Sequence, residues 1–317
     1  MLDGAPPRTV SITAMKPHDK LTILVAVFAL AACAPAPQSA HCAADIVIGQ
    51  SIDVPAGRVA RGAAQFNAEE AVGGAGEVGA FSIDAHEVTN GQFAAFVAAT
   101  GYVTLAERAG PDGAPLGAAV FDRQTGAWRV DPAANWRHPE GADTSIENRE
   151  RYPVVAVAYE DAQAYARWTG RRLPSENEWE FAARGAAPAP ADIAAEAFDA
   201  EGRPRANTWQ GMFPFQDSAE DGHAGLAPVG CFPANERGLY DMIGNVWEWT
   251  SDVYADGQTH DVARAMQTEA PPRVLKGGSN LCARNFCSRF RSGSRQPGDP
   301  GLGMSHIGFR TVADAPR

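Results

Sequence analysis

GLYDMIGNVWEWT, from Gly238 to Thr250, places two tryptophans, two glycines and two acidic side chains within thirteen consecutive positions. Asp241 and Glu248, with carbonyls from the glycine-containing turn between them, offer several of the oxygen ligands that calcium takes at about 2.3 to 2.6 Å. The spacing is not that of an EF-hand loop. The other reading makes Trp247 and Trp249 core residues and leaves both carboxylates solvated or paired. Around this stretch, glycine (32) and proline (23) are abundant and long helical patterns are few, so much of the chain is expected to be irregular loop around short elements. No internal repeat, heptad run or second linker interrupts the sequence from Asp45 onward, and one large α+β domain over residues 45–317 is the economical architecture.

Three segments carry readable local structure. Val154, Val155, Val157 and Tyr159 follow Pro153 as a β-branched and aromatic run, which predicts a short buried strand. Asp161 to Thr169 has helical character and stops at Gly170. Leu173 to Gly185 (LPSENEWEFAARG) spells a whole helix, with Ser175 as N-cap, Glu178 completing a capping box, acidic residues at the positive end, and Arg184 with Gly185 at the close.

Composition excludes some classes. At 317 residues and 45% hydrophobic the chain folds, and 27 Lys+Arg against 38 Asp+Glu give −11, the wrong sign for a nucleic-acid binder that neutralises phosphates. Lys16 and Lys20 precede the apolar run Leu21 to Ala32, which as a helix rises about 18 Å, short of the roughly 30 Å hydrocarbon core. This reads as a signal peptide over residues 1–32, with Met15 as the natural start. LAAC, ending at Cys33, resembles the lipobox of bacterial lipoproteins, so Cys33 is the expected lipid anchor of an exported, periplasmic, membrane-anchored chain; an ordinary cleaved signal is the other reading. Residues 33–44, rich in Pro, Ala and Ser, form the tether and contain Cys42.

Five cysteines are too few for a disulfide-dense scaffold. Cys282 and Cys287 lie in KGGSNLCARNFCSRFR (Lys276–Arg291). Five residues apart, they point to opposite faces of a strand or lie about 140° apart on a helix, and they meet only if the chain turns between them. No second Cys/His pair stands nearby to complete a zinc site. Two thiolates suit a soft, low-coordinate ion such as copper(I), while a structural disulfide is the alternative for an exported protein.

FSIDAHEVTN (Phe81–Asn90), ANWRHPEG (Ala134–Gly141), GRRLPSENEWEFAARG (Gly170–Gly185), ANTWQG (Ala206–Gly211), GLYDMIGNVWEWTSD (Gly238–Asp252), the Lys276–Arg291 stretch and IGFR (Ile307–Arg310) together resemble the formylglycine-generating enzymes, the sulfatase-modifying factors. The resemblance spans roughly Asp45 to Val312. It implies a single mixed α/β domain of low regular secondary structure, related to C-type lectins. It implies an oxidase that converts a cysteine in a Cys-x-Pro-x-Arg type motif of an unfolded sulfatase-like polypeptide to Cα-formylglycine with dioxygen. Copper(I) would be held by Cys282 and Cys287, with Ser279 lining the oxygen and substrate pocket and Trp247 shaping it. Two structural calcium ions are implied, one at the side chains of Asn207 and Asp221 with the carbonyls of Thr208 and His223. The other falls at Asp241 and Glu248 with the carbonyls of Gly244 and Val246. A monomer is expected, with no nucleic-acid partner.

Departures are informative. Animal members carry two further disulfides at positions occupied here by Ala166 with Thr311 and Ala183 with Ser292. Phe286 stands where a tyrosine is common. Cys231 is expected to be a buried free thiol, with pairing to Cys42 as the other arrangement. Ala186 to Pro204 matches poorly and reads as a variable surface loop. Several of the shared segments also occur in members without the activity, which leaves a non-catalytic lipoprotein of the same fold, its Cys282 and Cys287 joined in a disulfide, as the competing function.

Overall fold

Eleven short strands and three helices are connected by long irregular segments in the computed structural model, which describes residues 42, 46–61, 66, 70, 74–187, 190–255 and 270–315. The leader, Cys33 and all of the tether except Cys42 lie outside the described residues. Among those described, no helix is long and apolar enough to cross a membrane.

Strands β1 (Ser51–Val54), β4 (Phe81–Asp84) and β11 (Val312–Asp314) form an antiparallel sheet with β4 in the middle. Hairpins β2–β3 (Gly57–Arg61, Gly74–Val78) and β5–β6 (Ala118–Asp122, Ala127–Asp131) stand apart from it. The second main sheet runs β10–β7–β8–β9, with β7 (Trp247–Val253) parallel to β10 (Ile307–Gly308) and antiparallel to β8 (Arg273–Lys276), which pairs in turn with β9 (Arg295–Gly298). The mixed, loop-rich architecture expected from the glycine and proline content is the one observed.

Both faces of β7 are buried at its start: Trp247 and Trp249 enter an aromatic core with Phe93, Tyr165 and Phe309, while Glu248 and Thr250 are equally covered. A second core of Val54, Phe81, Ile83, Trp179, Phe181 and Leu239 lies under β1, β4 and β11. Helix α1 (Asn90–Thr100) starts at a Thr89–Gln92 capping box and ends at Gly101 in the left-handed region. Helix α2 (Tyr159–Trp168) begins two residues before the expected start. Helix α3 (Glu176–Arg184) matches its reading, Ser175 accepting from the Glu178 amide and Gly185 capping the end, and it packs against β2, β3, β7 and β8.

The expected strand at Val154–Tyr159 is not one. Val154, Val155 and Val157 are buried as foreseen, but Ala156 has φ 57°, which breaks the pleat. The backbone groups are met singly by distant segments, the Val154 amide by the Val88 carbonyl and the Ala156 amide by the Met304 carbonyl. The Ala186–Pro204 segment also differs from its reading as a surface loop. Ala194, Ala197 and Phe198 are buried in the aromatic core, with Phe198 edge-on to Phe290.

Buried ions fasten the elements. Arg310 donates to both oxygens of Glu248 at 2.7 to 3.0 Å and to the carbonyls of Asp84 and Tyr240, and neither charged side chain is exposed. Lys276, at the end of β8, reaches Glu180 of α3 at 3.0 Å, and Arg295 grips Glu176. Truncating one partner of such a pair strands the other charge, so Arg310→Ala is expected to lose about 3–5 kcal/mol of stability. Ser175→Ala, which removes only a cap, is expected to lose about 1 kcal/mol. Urea denaturation of the two variants side by side measures both.

Candidate active site

β8 delivers the chain into Gly277 and Gly278, both at positive φ. A Cβ on Gly278 would lie 2.8 Å from the Arg289 carbonyl, so only glycine lets the outgoing and returning limbs of the cysteine loop lie this close. Between them the chain turns, as the spacing of the cysteines requires. The Cys282 amide donates to the Ser279 carbonyl, Ala283 and Phe286 exchange backbone bonds, and Cys287 and Ser288 sit at φ 68° and 49°.

The turn brings the Cys282 and Cys287 sulfurs to 2.6 Å, and both are free thiols. They are unequal. Cys282 is fully buried among the aromatic-core residues, and burial pushes its thiol well above the ordinary range. Cys287 is half-buried, and its hydrogen bond with Cys282, aided by Arg289, brings its thiol down to about 7. The buried sulfur is thus held toward the thiol, while the half-buried one ionises more readily. Ser279 is fully buried at the base of the loop, its hydroxyl accepting from the Leu281 amide. Trp247 lies in the same aromatic cluster as Cys282. Beside the loop a cavity of ≈ 570 Å³ is walled by Phe198, Arg284, Ser288 and Phe290. The donor set is two sulfurs without a hard oxygen ligand, which suits a soft monovalent ion.

The loop rests on the two acidic segments. Asn280 gives its amide and its side-chain NH2 to the Asn245 carbonyl, and Asn245 gives its amide to the Asn207 carbonyl. The Trp209 amide donates to the Cys282 carbonyl at 3.0 Å. Gly244, at φ +81°, allows this stacking, since a Cβ there would lie 2.3 Å from the Asn207 carbonyl oxygen.

Asn207, Thr208, Asp221 and His223 converge. Asp221 accepts from the Thr208 and His223 amides, and burial raises its carboxyl to about 6. The Asn207 side chain donates to Gly225 and Asn245, while its Oδ1 is buried without a hydrogen bond. An orphaned oxygen beside a buried carboxylate fits a hard cation. The second set is arranged differently. Asp241 accepts from the Gly230 amide, and burial holds its carboxyl up to about 6. Glu248 spends both oxygens on Arg310 and Trp179. The carboxylate with a spare oxygen is Glu87, whose Oε2 is buried and unpartnered and whose carboxyl is raised well above its usual range by burial and by Asp241. Burial and mutual repulsion hold Glu87 and Asp241 toward their protonated forms beside the Arg310–Glu248 pair, and a cation bound there would take the place of those protons.

Cys231 is not the free thiol expected. It is joined to Cys42 in a disulfide across 189 residues, a pairing that spacing alone does not reveal because the end of the tether folds back on the domain. Glu87 and Arg123 were also missed. Arg123 lies 5.0 Å over the Trp209 ring and donates to Asn280 and Asp217, bracing the cysteine loop from outside.

The class this architecture defines is a loop-rich mixed α/β domain that carries a paired-thiol loop seated on acidic segments, and comparison with known proteins gives the family. The family model described as a sulfatase-modifying factor enzyme 1-like domain matches residues 39–315. The formylglycine-generating enzyme of Mycobacterium tuberculosis is 44% identical over 300 residues, covering 84% of this chain and 99% of that protein. The inactive C-alpha-formylglycine-generating enzyme 2 of Mus musculus is 36% identical over 286 residues, covering 84% and 86%. PvdO of Pseudomonas aeruginosa superposes with a TM-score of 0.57 at 26% identity, over 83% of this chain and 94% of that one. The chain belongs to the sulfatase-modifying factor family, that of the formylglycine-generating enzymes.

The inequality of the thiols is measurable in metal-free, reduced protein. Iodoacetamide is expected to modify Cys287 with a rate that rises through a midpoint near pH 7, and Cys282 far more slowly throughout. Peptide mass spectrometry that found equal rates would remove the distinction.

Proposed function

We propose that this chain is a formylglycine-generating enzyme that oxidises the cysteine of a Cys-x-Pro-x-Arg type motif in an unfolded sulfatase-like polypeptide, using dioxygen and copper(I) held by Cys282 and Cys287. The observation that carries the reading is the pair of free thiols meeting at the glycine turn, one fully buried and one half-buried. Copper(I), when bound, supplies the one-electron chemistry with dioxygen that no side chain can perform.

The chain's own residues do the positioning. Cys287 presents the accessible sulfur, and Arg289 steadies its negative charge. Cys282 anchors the other side inside an apolar wall that includes Trp247 and Phe290, which keeps water from the inner sulfur. Ser279 supplies the hydroxyl nearest the loop. The cavity walled by Phe198, Arg284, Ser288 and Phe290, next to the loop, is where a substrate strand would lie. Calcium ions at the Asn207/Asp221 set with the Thr208 and His223 carbonyls, and at the Asp241 set with the Gly244 and Val246 carbonyls, would hold the segments on which the cysteine loop rests. At the second, Glu87 is the added carboxylate, because Glu248 is committed to Arg310. The leader and Cys33 support an exported, lipid-anchored monomer as the working form.

Copper(I)-loaded protein given a Cys-x-Pro-x-Arg peptide under oxygen is expected to yield the aldehyde by mass spectrometry. Absence of turnover, with thiol counting that shows Cys282 bonded to Cys287, would instead favour a non-catalytic relative like the inactive mouse protein. Cys287→Ser is expected to abolish turnover and copper binding while leaving the melting temperature near that of the parent. Calcium at about 100 times its dissociation constant should add about 2.7 kcal/mol to a chelator-stripped sample. A melting temperature indifferent to chelator and to calcium would count against the structural ions.

A further inference from the structure

Cys42, Cys231 and His223 form a second sulfur-containing cluster, separate from the Cys282/Cys287 loop. Their ligand atoms, two sulfurs and a ring nitrogen, all lie within 4.8 Å of one another. The His223 ring stacks at a tilt beside Phe232, its Nε2 is buried without a hydrogen bond, and all three residues are half-buried. A buried imidazole nitrogen ordinarily has a partner, and leaving it bare costs free energy. The oxidation of a substrate cysteine at the Cys282/Cys287 loop makes no use of this ring.

We propose that these three side chains are a redox-gated copper(I) site. As a disulfide, the two sulfurs have no lone pair available as thiolate and the imidazole stands idle. Reduction by a dithiol breaks the Cys42–Cys231 bond: the dithiol gives up two electrons and two protons, becomes a disulfide itself, and leaves two thiols beside His223. Copper(I) then displaces both thiol protons to solvent and takes two thiolates and the neutral imidazole. Sulfur and imidazole ligands suit this ion. The half-buried sulfurs give a reductant access. The proposal is independent of the Cys282/Cys287 reading.

The test uses the full chain carrying Cys282→Ser and Cys287→Ser, so that only the second cluster can respond. Copper(I) is titrated anaerobically in competition with bicinchoninate, before and after mild dithiol reduction and removal of the dithiol. The expected result is one equivalent bound by the reduced protein and none by the oxidised one. His223→Ala in the same background leaves the backbone carbonyl in place and should weaken binding by about tenfold or more, the least that even an outer partner of a metal costs. Equal binding in both redox states, no binding after reduction, an unchanged affinity in His223→Ala, or preference for zinc(II) overturns the proposal. Should the double variant fail to fold, the parent chain serves instead: copper(I) is expected to protect both Cys42 and Cys231 of the reduced protein from alkylation, read by mass spectrometry, and unprotected sulfurs overturn the proposal equally.

Discussion

The Arg310–Glu248 pair is the contact through which the two sheets become one structure. Glu248 sits in the buried first half of strand β7, and Arg310 lies between β10, which extends the same sheet, and β11, which belongs to the other. The guanidinium also holds the Asp84 carbonyl at the end of β4 and the Tyr240 carbonyl ahead of β7, while Trp179 of α3 donates to the same carboxylate. A pair taken out of water gains little net energy over an apolar substitute. Its value is geometric: five segments with little regular structure are held to one arrangement by directional bonds.

The same logic extends to the cysteine loop. With few helices and short strands, the position of Cys282 is not set by a long ladder. It is set by relays of backbone and amide contacts, Asn280 on Asn245, Asn245 on Asn207, Trp209 on Cys282, and by Lys276, whose ammonium is pinned to α3 just before the glycine turn. Helix α3 therefore carries no chemistry but fixes where the chemistry-bearing loop begins. The orphaned oxygens of Asn207 and Glu87 lie on these relays, at the places where added cations would stiffen them.

What the sequence disclosed divides along the range of the interactions. Helix α3 was legible to the residue because its cap, box and terminus are all local. The meeting of Cys282 and Cys287 was legible as a condition, a turn between them, and the glycines that make the turn stand in the same stretch. The Val154–Val157 segment was misread because its buried apolar pattern is shared by a strand and by an extended segment whose hydrogen bonds go to scattered partners. Glu87 bonding Asn245 across 158 residues, and Cys42 bonding Cys231 across 189, leave no local trace at all. The family resemblance supplied the acidic sets, and the structure then separated a Glu248 already committed to Arg310 from a Glu87 that is not.

Two thiols meeting on a turn do not by themselves make a reactive site; the difference between them does. Were both sulfurs buried, both would be held protonated by desolvation, and a polypeptide substrate would have no route to either. Were both exposed, both would titrate in the ordinary thiol range. Burying Cys282 against aromatic side chains while leaving Cys287 half-buried, with Arg289 beside it, makes the two sulfurs unequal. The left-handed backbone at Cys287 and Ser288 is what closes the loop and brings the second sulfur back to the first. Non-glycine residues tolerate that conformation only when their surroundings enforce it, and here the Ala283 carbonyl does so, accepting from both the Ser288 amide and its hydroxyl.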